Sequence, residues 1–109
     1  MGLDQDKLVE ALKDGAGGSI QFAARAARMV SGDWDKVLAS TALLAKDIRL
    51  IEKTGTELQA PMPVLSGVRP YYEQAIKDGY GEVDVAGVYA AFATAAGLPI
   101  PGKNRRDEE

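Results

Sequence analysis

Val37-Leu-Ala-Ser-Thr41-Ala-Leu-Leu44-Ala-Lys46-Asp47-Ile48-Arg-Leu50-Ile51-Glu-Lys-Thr-Gly55 is the stretch whose periodicity decides the fold. Val37, Thr41, Leu44, Ile48 and Ile51 recur at i, i+4, i+7, i+11 and i+14, the spacing of one buried helical face. Ala39, Leu43 and Leu50 make a second apolar strip, and Lys46 lies beside it between Leu43 and Leu50. The pattern predicts a long helix that follows a cap region at Asp33/Asp35 and stops at Gly55.

The same reading extends outward in both directions. Upstream, Asp4 is placed to cap a helix from Gln5 to Lys13, with Leu8, Ala11 and Leu12 as its buried stripe and Gly15 as its left-handed stop. Ser19 opens a second helix that Gly32 ends. Ile20, Ala23, Ala24 and Ala27 share one face of it, with Phe22 and Met29 on the other. Downstream, Pro63 starts a fourth helix carrying Leu65, Val68, Tyr72 and Ile76, with a kink or split expected at Pro70 and an end at Gly79. Asp84 caps a fifth, with Val88, Ala91, Phe92 and Ala95 facing the core and Gly97 behind it. No stretch alternates as a strand would. The expectation is an all-α, compact bundle of about five helices over residues 1–97, with a disordered tail over 98–109.

Composition excludes several classes of function. A chain of 109 residues makes one small domain. Its net charge of −3 comes from interspersed acids and bases, so there is no basic stripe for nucleic acid. There is no cysteine, hence no disulfide and no thiolate chemistry. There is no histidine, which removes the commonest general base and metal ligand. Glu82 and Asp84 read as helix-start charges and not as a metal site. No apolar run suits a membrane span and no leader pattern follows Met1, so the expected setting is cytoplasmic. No Gly-x-Gly-x-x-Gly or Gly-Lys-Ser/Thr phosphate loop occurs. Gly15-Ala-Gly-Gly-Ser19 reads either as an anion-facing turn or as a helix connection, and Lys46-Asp47 either as a solvated charged pair or as a lysine aimed at an anion or a cofactor edge.

Several segments resemble a known family in order and spacing. Leu43-Leu-Ala-Lys46-Asp47-Ile-Arg-Leu50 followed by Leu58-Gln-Ala-Pro61-Met-Pro63 is similar to the C-terminal domain of the β-hydroxyacid dehydrogenases, a group that includes 3-hydroxyisobutyrate dehydrogenase and tartronate semialdehyde reductase. Gly79-Tyr-Gly81-Glu-Val-Asp84, Gly15 to Ser19, and Met29-Val-Ser-Gly32-Asp33-Trp34 resemble further segments of that domain. The resemblance covers Leu3 to Phe92 and implies a fold like the C-terminal domain of 6-phosphogluconate dehydrogenase. It implies that Lys46 reaches a bound NAD or NADP, that Asp47 orients it, and that Ser19 lies on the substrate side of the cleft. It implies no catalytic residue here, because the family's catalytic lysine, its Rossmann domain and its Ser-Gly-Gly loop match nothing in this sequence. Lys36-Val-Leu-Ala-Ser40 stands where the family has Pro-Gly-Phe.

The resulting expectation is a C-terminal domain or fragment of an oxidoreductase of 3-hydroxy acids or semialdehydes, inactive and cofactor-free alone, completed by a Rossmann domain in cis or in trans. The alternative is a stand-alone interaction or dimerisation module, and a homodimer is expected from the uncovered apolar strips. Nucleic acid and membrane are excluded as partners.

Overall fold

A computed structural model describes residues 2–102. The first helix, α1, is Gln5–Lys13, where the Asp4 carboxylate accepts from the Lys7 N–H at 3.0 Å. Helix α2 is Ile20–Ser31, capped by the Ser19 hydroxyl and stopped by Gly32 at φ 74°. Helix α3 is Thr41–Glu57, α4 is Pro63–Ala75, and α5 is Tyr89–Ala95. A π turn, Ile76–Tyr80, follows α4, and a 3-10 turn, Val85–Val88, leads into α5. Among the described residues the only extended pairing is an isolated bridge between Ser40 and Asp84. The chain is an all-α bundle, as its periodicity predicts.

The differences from that prediction have physical causes. Helix α3 starts at Ser40, whose hydroxyl accepts from the Leu43 N–H, and not at Asp33 or Asp35. The preceding residues are drawn out of helical geometry because Trp34 enters the core and the Leu38 and Ala39 N–H groups are taken by Asp84. Gly55 does not stop α3. It is buried inside the helix, where a Cβ would press on the Ala60 carbonyl and the Met62 thioether at 3.0–3.1 Å. Gly15 is not left-handed, and α1 ends on an ordinary turn at Asp14. Helix α4 runs through Pro70 unbroken, and the interruption falls at Gly79, with φ 96°, inside the π turn.

The buried faces are also rotated from those expected. Leu8 and Leu12 of α1 are half exposed, and Ile20 of α2 is 89% exposed. Helix α2 instead turns Ala26 and Met29 inward. In α5 the buried residues are Ala90, Ala91 and Ala93, with Phe92 at the surface, stacked on Tyr71 at 4.1 Å. Ala95 is exposed too. Small residues fill the centre because the 3-10 turn and α5 approach α4 closely, leaving room for methyl groups and little more.

Two clusters make the core. Trp34, Ala86 and Ala90 pack with Met29, Tyr80 and Ile100, and Trp34 meets Tyr80 edge-on at 5.5 Å. Ala75, Val88 and Ala91 pack with Tyr71 and Tyr72. Ile100 lies in the segment expected to be a disordered tail. Residues 98–102 are described and dock on the first cluster, while the rest of that expectation falls outside the described residues.

Candidate functional site

Charge in this fold is arranged in two ways. At the first position Asp84 is wholly buried, at the start of the 3-10 turn. One carboxylate oxygen accepts from the Leu38 and Ala39 N–H groups at 3.0 and 3.4 Å, and the other accepts from the Ala86 N–H at 3.0 Å. The Arg25 guanidinium donates to both oxygens at 3.0 and 3.1 Å, and Arg28 pairs with the same carboxylate at 3.1 Å. Arg28 also donates to the Lys36 carbonyl, while its own carbonyl accepts from the Trp34 indole N–H at 2.9 Å. Burial by itself raises the Asp84 pKa. The Ala86, Leu38 and Ala39 N–H groups and the Arg25 charge outweigh burial and hold it below its ordinary value. A carboxylate this fully occupied is a poor proton carrier, because each lone pair it would use is already accepting. Its role is to fasten α2, the 34–39 connection and the 3-10 turn together.

Sequence reasoning took Asp84 only as a helix cap and missed Arg25 and Arg28. The available signal was two arginines three apart on a helix whose other residues between Ile20 and Val30 are mostly apolar. Such cations on an inward face need a buried acid.

The second position is Lys46, in the second turn of α3. It is exposed, and among the described residues it makes no ion pair. It stands on a strip with Leu43 and Leu50, which are 46% and 53% exposed. Asp47 is half buried and does not pair with it. Ser19 is exposed at the start of α2, where its hydroxyl oxygen accepts from the Phe22 N–H at 2.9 Å. Helices α2 and α3 meet through the 3-10 turn, which both of them touch. Lys46 and Asp47 therefore share one helix, while Ser19 stands at the start of another, and no hydrogen bond or ion pair among the described residues joins it to them.

The remaining polar features are structural. Glu52 borders a cavity of about 310 Å³ beside Pro61 and Met62, and its carboxylate is taken by Arg69 at 2.8 Å and by the Ser66 hydroxyl at 3.1 Å. Burial pushes the Tyr72 phenol up, beside a second cavity of about 350 Å³ that Arg25, Met29 and Val88 also line. No group of three acids or other ligating side chains among the described residues could hold a metal ion. No helix among them is long and apolar enough to cross a membrane.

Residues 1–92 match the family model described as NAD-binding of NADP-dependent 3-hydroxyisobutyrate dehydrogenase. The chain belongs to that family. The L-threonate dehydrogenase of Escherichia coli is 29% identical over 101 residues, 93% of this chain and 32% of that protein. The L-threonate dehydrogenase of Cupriavidus necator is 26% identical over 102 residues, 94% of this chain and 33% of that protein. The crystal structure of 3-hydroxyisobutyrate dehydrogenase from Salmonella typhimurium superposes with a TM-score of 0.76 and 27% identity, over 82% of this chain and 31% of that one. This chain therefore spans about a third of the length of the relatives it matches. The family is one of NAD(P)-dependent dehydrogenases, and both the helical fold and the implied relationship are those of its C-terminal domain.

The residues present can be tested against such a cofactor. A free, exposed lysine on an apolar strip fits one anionic edge of a dinucleotide. The sequence holds no glycine-rich phosphate loop, so the fit extends to one edge and not to the whole molecule.

Proposed function

We propose that this chain supplies the cofactor-facing helical wall of an NAD(P)-dependent oxidoreductase acting on 3-hydroxy acids or semialdehydes. The observation that carries the reading is the match over residues 1–92 together with Lys46, exposed and without an ion-pair partner among the described residues, on the helix that the family's lysine motif occupies. In this reading the Lys46 ammonium holds an anionic part of NAD or NADP, and Asp47 on the same turn orients it. Ser19 stands on the substrate side of the cleft. A dinucleotide-binding domain, in cis or in trans, provides the phosphate loop and the proton-transferring lysine. The nicotinamide supplies the hydride acceptor when bound.

The same reading says that these 109 residues alone neither turn over substrate nor hold the cofactor tightly. One charge-assisted contact contributes about 1.5–3 kcal/mol. Micromolar affinity needs about 8 kcal/mol. Calorimetric titration of the chain with NAD and with NADP is therefore expected to show no micromolar binding, and a micromolar Kd for either would overturn this account.

A second reading, a stand-alone interaction or dimerisation module, is favoured by a separate observation. Helix α1 packs mainly on α2 and leaves Leu8, Leu12 and the neighbouring Ile20 open, while Leu43 and Leu50 are open on α3. Apolar surface of this kind usually marks an interface. A two-fold homodimer, which needs one self-complementary patch, would cover it. Sedimentation equilibrium decides: a monomer of 11.6 kDa at about 0.1 mM would remove this reading and leave the first intact.

A further inference from the structure

Residues 98–102, Leu-Pro-Ile-Pro-Gly, lie beyond the part of the chain that the family model matches and belong to neither charged position. They turn back over the end of α2. The last backbone hydrogen bond along this stretch runs from the Leu98 N–H to the Ala93 carbonyl at 2.8 Å. Pro99 and Pro101 have no N–H to give. What seats the segment is the Ile100 side chain, packed against the Trp34, Ala86 and Ala90 cluster, and a close passage over Gly32. A Cβ on Gly32 would lie 2.6 Å from the Pro101 carbonyl group, and Gly32 is left-handed as well, so glycine serves this position twice. The seat is loosely filled. A cavity of about 50 Å³ remains between the segment and the Trp34, Tyr80 and Val83 side chains, and one of about 390 Å³ opens on its far side toward α1.

We propose that residues 98–102 form a releasable strap that, when seated, clamps the connection between α2 and α3, and when lifted, opens an aromatic groove of Trp34, Tyr80 and Val83. Release is local because, among the described residues, no backbone hydrogen bond holds the strap beyond Leu98, and Ile100 is its one side chain packed on the core cluster. Segments with few buried contacts and unpaired backbone are the ones that open below the global unfolding transition. The consequence reaches further through Trp34. Its carbonyl accepts from the Asp84 N–H at 2.9 Å, and the Ala39 carbonyl, at the far end of the same connection, accepts from the Val85 N–H at 2.8 Å. Lifting the strap loosens the segment that leads into α3, the helix that carries Lys46.

The single tryptophan makes this measurable without a label. In the full chain, Ile100→Ser is expected to keep the far-ultraviolet helical signal, shift the Trp34 emission to the red, and raise its quenching by acrylamide several-fold. Leu98→Ser, at a position that is 54% exposed, is expected to change none of these. Unchanged emission and quenching in Ile100→Ser would overturn the seating. Loss of the helical signal in Ile100→Ser would overturn the release, since the strap would then be inseparable from the core. The unaltered chain gives an independent check by hydrogen exchange. The Trp34 indole N–H is expected to exchange several-fold faster than the buried backbone amides of Ala90 and Ala91. Exchange of all three at one rate would show that the strap lifts only when the whole domain unfolds, and the proposal would fail.

Discussion

The Asp84 corner and the Lys46 strip both bring charge to the same end of α3, and they do so under opposite conditions. At Asp84 the charge is fully buried, two arginines and three backbone N–H groups converge on it, and removing the carboxylate would leave both arginines without their acid. At Lys46 the charge is exposed, no acid among the described residues pairs with it, and its neighbours Leu43 and Leu50 are half open to solvent. The first arrangement is what a fold requires. The second is one that folding does not require, so its identity is free to answer to something outside the chain. The difference teaches where to look for function in a domain this small: at charges the fold leaves unanswered and not at those it answers completely.

The contrast can be broken first at Asp84. Asp84→Ala leaves Arg25 and Arg28 facing each other without an acid, and the expected loss is about 3–5 kcal/mol in urea unfolding. That is a large share of the ~5–15 kcal/mol typical of a whole domain. A change below the precision of the urea midpoint would show that Asp84 is not the fastener described.

An intermediate effect is expected from acid. The folded pKa of Asp84 lies below its ordinary value, despite burial, because backbone donors and Arg25 favour the anion. Its contribution to stability is therefore fully present above the unfolded value of about 3.9, and is lost as pH falls through the folded one. Urea midpoints of the unaltered chain should fall in that acid range more steeply than those of Asp84→Ala. Parallel curves would detach the pH dependence from this residue.

The smallest effect belongs to Lys46. Lys46→Ala is expected to shift stability by about half a kcal/mol or less, as exposed substitutions usually do. Superimposable urea curves would sharpen the contrast. A loss of several kcal/mol would make Lys46 a structural group and remove the reason to assign it to a cofactor.

Local chemistry made much of the fold legible in the sequence. Asp4, Ser19, Gly32, Pro63 and Gly97 each punctuate a helix where the structure has one. The faces were harder to read, because α2 offers apolar residues all round and only the position of Arg25 and Arg28 relative to Asp84 decides which side turns inward. The start of α3 was misplaced for a related reason. Asp33 and Asp35 look like caps, yet the Leu38 and Ala39 N–H groups are claimed by a carboxylate 46 and 45 positions away, which no local pattern announces. At the candidate site, Lys46 and Asp47 stood out by their place beside an apolar strip, and the hub that positions their helix did not, since it exists only once distant segments have met.

The start of α3 also bears on how the domain folds. Its first N–H groups are satisfied from downstream: Thr41 by the Val83 carbonyl and Ala42 by the Gly81 carbonyl, at 3.1 and 2.9 Å. A helical domain built of neighbouring contacts would assemble rapidly, since closing short loops costs little entropy. Here two N–H groups at the start of the longest helix find their protein acceptors only when the 81–83 segment has closed a loop of some forty residues. During synthesis those two N–H groups must wait for the 81–83 segment to leave the ribosome, so the whole of α3 emerges before the partners that anchor its start.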